Sequence, residues 1–146
     1  MAEFVVQGLD GFADSLRQLA DLPEHVQDDI LNAQADALIP ELQERGRAYG
    51  VEDSGKMLRS IKKGKVRVNK DGRYIVVAPR GTRKRVSERT GKVHKVKEAE
   101  IGFFANYGTR NQRAMPFWTD TIQSSAATLI REGRRVFYAY MDELNL

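Results

Sequence analysis

The chain has 146 residues, no cysteine, two histidines and a formal net charge of +4, with 41% hydrophobic and 30% charged residues. These totals describe one globular domain long enough to bury a core. They exclude disulfides, thiolate metal centres and a histidine-rich metal site. No apolar run approaches the ~20 residues that cross a bilayer. The first residues, MAEFVVQGLDGF, lack the basic and long apolar regions of a signal peptide, so a mature cytoplasmic chain is expected.

In chain order, Phe4, Val5 and Val6 suit a short strand, and Asp10 suits the N-cap of a brief helix carrying Phe12, Leu16 and Leu19. Pro23 then opens a long amphipathic helix over 23–49, with Val26, Ile30, Ala33 and Ala37 on one face. Pro40 inside it is expected to kink or interrupt it, and Gly50 to end it. A helical turn follows at Met57 to Ser60. Residues 61–69 and 73–79 then flank an Asp71-Gly72 turn, a β-hairpin signal. Residues 98–107 read as a third strand, with Ile101, Phe103, Ala105 and Tyr107 on a core face and Phe104 on the other. Gly108 supplies a positive φ at its exit. From Pro116 the spacing of Ile122, Ala126, Leu129, Gly133, Val136, Tyr140 and Leu144 predicts one helix of about 28 residues, roughly 42 Å. The expected class is α+β. One domain over 1–146 holds an antiparallel sheet of about three main strands, with room for a short N-terminal one. The sheet packs against the long N-terminal and C-terminal helices.

The charge is unevenly placed. Residues 80–100 carry eight Lys or Arg and three Glu, a local +5 in a chain of +4. Residues 80–97 read as a flexible basic loop, long for a compact domain and too poor in apolar groups to order itself. Its cations Arg80, Arg83, Lys84, Arg85, Arg89, Lys92, Lys95 and Lys97 are the candidates for assembly contacts or for lining a DNA channel. The segment has no aromatic residue, which argues against base stacking there.

Catalytic patterns are weak. Gly50 to Met57 approaches a phosphate-binding loop, but Met57 stands where a hydroxyl would hold Mg²⁺, and a helix rather than a strand precedes it. No Ser, His and Asp are spaced as a triad, and the acids Asp28, Asp29, Asp36 and Glu41 fall on a solvated helix face. The pattern points away from an enzyme and calls for no cofactor and no metal.

Three motifs then occur in order: Ser54-Gly55-Lys56-Met57-Leu58-Arg59-Ser60-Ile61, then Phe104-Ala105-Asn106-Tyr107-Gly108-Thr109, then Met115-Pro116-Phe117-Trp118 opening the terminal helix. The set resembles the small minor tail components, also called tail completion or head–tail joining proteins, of long-tailed phages. The matching positions are Ser54, Gly55, Leu58, Ser60, Ile61, Ala105, Gly108, Thr109, Pro116 and Phe117. Phe104 stands where Tyr is usual in that family, and Tyr107 stands where Glu is common. The resemblance implies a structural virion protein that forms a ring, typically hexameric, at the head–tail junction or the upper end of the tail. Such a protein has no cofactor. Its partners are copies of itself and connector, neck, tail-tube or terminator proteins, with non-specific contact to the backbone of passing DNA open to it, but no membrane. It would be found in the virion, and in the host cytoplasm during assembly. The rival expectation is a small nucleic-acid-binding module using residues 80–97.

Overall fold

The computed structural model describes residues 22–51 and 55–144. The strand expected at 4–6, the helix after Asp10, and Ser54 lie outside them. The architecture is α+β, with long helices toward the two ends of the chain and small antiparallel ladders between them.

Helix α1 (Glu24–Tyr49) starts where Pro23 accepts hydrogen bonds from the amides of Val26 and Gln27, at 3.0 and 3.2 Å. Pro40 lies on an exposed side and does not interrupt it. Gly50 ends it in the left-handed region (φ 73°), and the Val51 amide turns back to the Gly46 carbonyl. A single turn, α2 (Lys56–Arg59), follows. Leu58 of that turn packs onto Gly46, where a Cβ would stand 2.4 Å from a Leu58 methyl.

Strands β1 (Ile61–Lys63), β2 (Arg67–Asn69), β3 (Gly72–Tyr74) and β4 (Val77–Pro79) make one interrupted hairpin around a Lys70-Asp71 turn, with Gly72 opposite Asn69 at the start of β3. β1 pairs with β4 (Ile61↔Pro79) and β2 with β3 (Arg67↔Tyr74). Residues 64–66 face only 75–76, so one extra residue on the first arm breaks the ladder in two, as a bulge does.

In the middle of the chain the expectations from the sequence give way. Residues 80–97 are not an irregular loop. β5 (Thr82–Val86) pairs with β6 (Val93–Lys97) in an antiparallel hairpin, closed at its base by the Glu98 amide on the Gly81 carbonyl and at its tip by the Ser87 amide on the Lys92 carbonyl. Residues 98–107 are not the third strand of a sheet. They form helix α3 (Glu98–Tyr107). The reason is local and tertiary together. Glu98 and Glu100 sit in the first turn, where acids suit the positive end of the helix dipole. Small residues at 102 and 105 let the helix lie close to its neighbours, since a Cβ on Gly102 would come 3.3 Å from Met57 Sδ and 3.4 Å from Pro79 Cγ. Among the described residues each ladder is a closed pair of strands, and 98–107 extends none of them.

Helices α4 (Phe117–Ser124) and α5 (Ala126–Glu143) replace the single terminal helix of about 28 residues. The break is slight. The Ser125 amide still bonds the Thr121 carbonyl and the Leu129 amide bonds the Ser125 carbonyl, at 2.9 and 3.0 Å. α4 and α5 run antiparallel to α1. Tyr49 bonds Asp120, Arg45 bonds Ser124 Oγ, Thr128 bonds Glu41, and Gln34 donates to the Leu129 carbonyl at 2.9 Å. Farther along, the rings of His25 and Tyr140 meet edge to face, 6.2 Å apart.

The core gathers Leu42, Val51, Met57, Leu58, Ile61, Ala105 and Phe117, with Ile101, Met115 and Trp118 half-buried against them. Leu58, Ile61, Ala105 and Phe117 come from three separate motifs and meet in this one cluster. Among the described residues, no helix is long and apolar enough to cross a membrane.

Candidate interaction surface

The inner face of α3 holds the structure together at its two ends. At its start, Glu98 is 7% exposed and accepts a two-pronged ion pair from Arg83 of β5, with Nε and Nη2 each 2.7 Å from a carboxylate oxygen. At its end, the buried Asn106 serves a helix other than its own. Its Oδ1 accepts the amides of Trp118 and Thr119, both at 3.1 Å, and its Nδ2 donates to Thr119 Oγ1 at 3.0 Å. α4 begins at Pro116 with no side-chain cap of its own. Asn106 therefore supplies, from α3, the acceptor that an N-cap residue ordinarily provides. The signal in the sequence was a helix opening on Pro-Phe-Trp with no Ser, Thr, Asp or Asn before it, and sequence reasoning passed over Asn106.

Between these helices the chain turns at Gly108, with φ 80°. A Cβ there would lie 2.8 Å from the Ala114 amide nitrogen, so both backbone angle and space require glycine. Thr109 bridges to Gln112 and its hydroxyl accepts the Asn111 amide, while the Met115 amide returns to the Ala105 carbonyl. Gly55, also at positive φ, accepts the Arg59 amide, and the Ser60 carbonyl accepts the Arg80 amide. The motif residues within the described part thus serve packing and turns.

The outer face of α3 differs. Glu100, Phe103, Phe104 and Tyr107 recur at i, i+3, i+4 and i+7 and are all exposed, the three aromatics by 58, 47 and 65%. This corrects the expectation that Phe103 and Tyr107 are core. Phe103 lies 4.8 Å from Tyr107 and 5.9 Å from Phe104 between ring centroids, so the three rings make one continuous surface. Helix geometry puts these residues on one side, and the small inner residues leave them the side facing away.

The hairpin divides its cations in the same way. In an antiparallel pair, opposed residues share a face. Arg83↔Val96 and Arg85↔His94 make one face, whose base packs at the start of α3. Thr82↔Lys97, Lys84↔Lys95 and Val86↔Val93 make the other, and all six are exposed. Of the predicted loop cations, Arg83 is committed to Glu98, and Arg80 lies outside the arm against Gly64. Lys84, Lys95 and Lys97 stand together on the outward face, Arg85 is on the opposite face, and Arg89 and Lys92 are at the tip. Directly opposed like charges oppose pairing, and no carboxylate among the described residues pairs with Lys84 or Lys95.

Elsewhere, a hollow of about 640 Å³ lies between α1 and α4, lined by Glu41, Glu44, Arg45, Tyr49, Thr121 and Ser124. The Tyr49 hydroxyl beside it donates to Asp120, which raises the phenol above its ordinary 10.0. No group of three or more His, Cys, Asp or Glu side chains among the described residues could hold a metal ion. Comparison with family models, curated proteins and solved structures finds no match for the chain.

Proposed function

We propose that this protein is a structural subunit of a ring, hexameric by its family resemblance, at the head–tail junction or upper tail of a long-tailed phage. The observation that carries the assembly part is the outward stripe of α3. A continuous patch of three aromatic rings on a small domain marks an interaction surface. The phage setting rests on the ordered motifs. It is supported by the way Leu58, Ile61, Ala105 and Phe117 from those motifs share one core, which gives a spaced motif set a common structural reason. The ring would touch copies of itself and neighbouring connector or tail proteins, and the cationic arm is available to a partner or to the backbone of passing DNA.

The test is made on purified particles. Quantitative mass spectrometry of virions or tails should find the chain at about six copies, the count of one closed cyclic ring. A second reading, a monomeric nucleic-acid-binding module, is favoured by the Lys84, Lys95 and Lys97 face of the hairpin. Absence of the chain from mature particles, with tight and steeply salt-dependent binding of nucleic acid by the monomer, would replace the first reading by the second.

A further inference from the structure

Two exposed apolar features lie on different parts of the same molecule. One is the α3 stripe. The other is the hairpin tip, where Val86 and Val93 oppose each other across the ladder and are 64 and 61% exposed. We propose that the hairpin tip of one copy seats on the α3 stripe of the next, with the two valines against Phe103, Phe104 and Tyr107. This contact rests on the ring reading and names the surfaces that join neighbouring subunits.

Three observations favour a second copy of this chain as the occupant. The surfaces are complementary in shape class: the tip is a narrow apolar point and the stripe a broad aromatic face. They are also complementary in charge. The tip's valines share their face with Lys84 and Lys95, whereas the stripe begins at Glu100 and offers ring faces that attract cations. Finally, beyond the Arg83–Glu98 pair that anchors its base, the arm is almost wholly exposed. A lone two-stranded hairpin is marginal in water, and this one opposes lysine to lysine, so docking its outward face against Glu100 relieves a repulsion that the isolated subunit retains. Both features are exposed, and among the described residues the arm does not cover its own stripe. Because tip and stripe are different surfaces, the contact can repeat head-to-tail and close a ring when the rotation per subunit permits, and cross-linked species beyond the dimer from a double variant tell this from two copies exchanging arms.

The chain has no cysteine, so single cysteines report without background. Val93→Cys and Phe104→Cys chains should be made separately, mixed, and treated with a short bismaleimide. The expected result is a cross-linked dimer in the mixture and little in either chain alone, with a ladder of higher species from the double variant. Adding Glu100→Lys to the Phe104→Cys chain should cut the mixed yield several-fold, and Lys95→Glu on the other chain should restore it. A dimer from Phe104→Cys alone would assign stripe to stripe and overturn the contact, as would a dimer from Val93→Cys alone. So would the absence of a mixed product at about 1 mM, a weak limit for specific association. Protection of the Val93→Cys thiol from maleimide by duplex DNA, without any mixed product, would give the tip to a polyanion instead. None of these failures touches the ring reading, which stands or falls on copy number in particles.

Discussion

On its inner side α3 presents Gly102, Ala105 and Asn106, and these touch Met57, Pro79 and the start of α4. On its outer side it presents Phe103, Phe104 and Tyr107 to solvent. The hairpin before it repeats the division, with Arg83 turned in on Glu98 and Lys84 turned out opposite Lys95. In both elements the inner choices are small or paired groups that satisfy geometry and hydrogen bonding. The outer choices are large exposed apolar rings and the cations Lys84 and Lys95, which no carboxylate among the described residues pairs. Residues kept at a cost to the lone chain point to a partner, and it is this contrast, more than any one side chain, that makes the outer surface the functional candidate.

The contrast can be broken most decisively in the core. Phe117 is fully buried in the cluster with Leu42 and Met57. Phe117→Ala should cost about 3–5 kcal/mol, the range for an aromatic cavity. Phe103→Ala removes a ring of the same size from the outer stripe and should change stability by no more than about 0.5 kcal/mol, as exposed substitutions do. Urea melts of the two variants measure both. Equal losses would mean that the stripe is part of the fold and not a surface held for a partner.

A smaller effect separates the two faces of the hairpin. Arg83→Ala leaves a nearly buried carboxylate at Glu98 without its partner, and breaking such a pair costs about 3 kcal/mol. Lys84→Ala relieves the opposition to Lys95 and should leave stability unchanged or raise it by about 0.2–1 kcal/mol. Thermal melts at low salt test the sign. If both variants lose stability alike, the arm draws its order from its cations generally, and the division into an inner and an outer face fails.

The sequence reading succeeded where one face is buried and one is wet. Val26 and Ile30 do lie buried on α1, although Ala35 rather than Ala33 and Ala37 is buried with them; a hairpin does form, its turn one residue earlier at Lys70-Asp71; and Pro116 and Phe117 do open a helix that anchors in the core. It failed where that asymmetry is missing. Residues 98–107 are apolar at both a two-residue and a three-to-four-residue period, and the packing of Gly102 against Met57 and Pro79, which a sequence does not display, accompanies the helix. The arm at 82–97 reads as a loop because almost every residue in it is exposed, so the alternation that marks a strand never forms. The slight break at Ser125, a buried residue whose hydroxyl has no partner among the described residues, left no mark in the spacing of the terminal helix. The ion pair of Arg83 was hidden in a run of like charges, where nothing distinguishes the one cation that turns inward.

The smallest effect expected comes from an exposed tie between the first and fourth helices. The Tyr49 hydroxyl donates to the Asp120 carboxylate, and that hydrogen bond exists only while the phenol is protonated. The bond is the main cause that raises the phenol above 10.0, helped by partial loss of water and by the charge of Asp120, and opposed by nearby Arg45. A folded value above the unfolded one means the neutral form is favoured in the fold. The contribution is therefore whole below pH 10 and fades as pH climbs through the raised folded value. Tyr49→Phe should leave melts at pH 7 almost unaltered, because exposed contacts of this kind contribute little and are screened by salt. It should instead remove the most alkaline component of the ultraviolet phenolate titration of the folded protein. A missing component at or below pH 10 would show that the phenol is free of Asp120 in solution, and the polar tie between α1 and α4 would then rest on Arg45 and Ser124, with Thr128 and Gln34 joining α1 to α5.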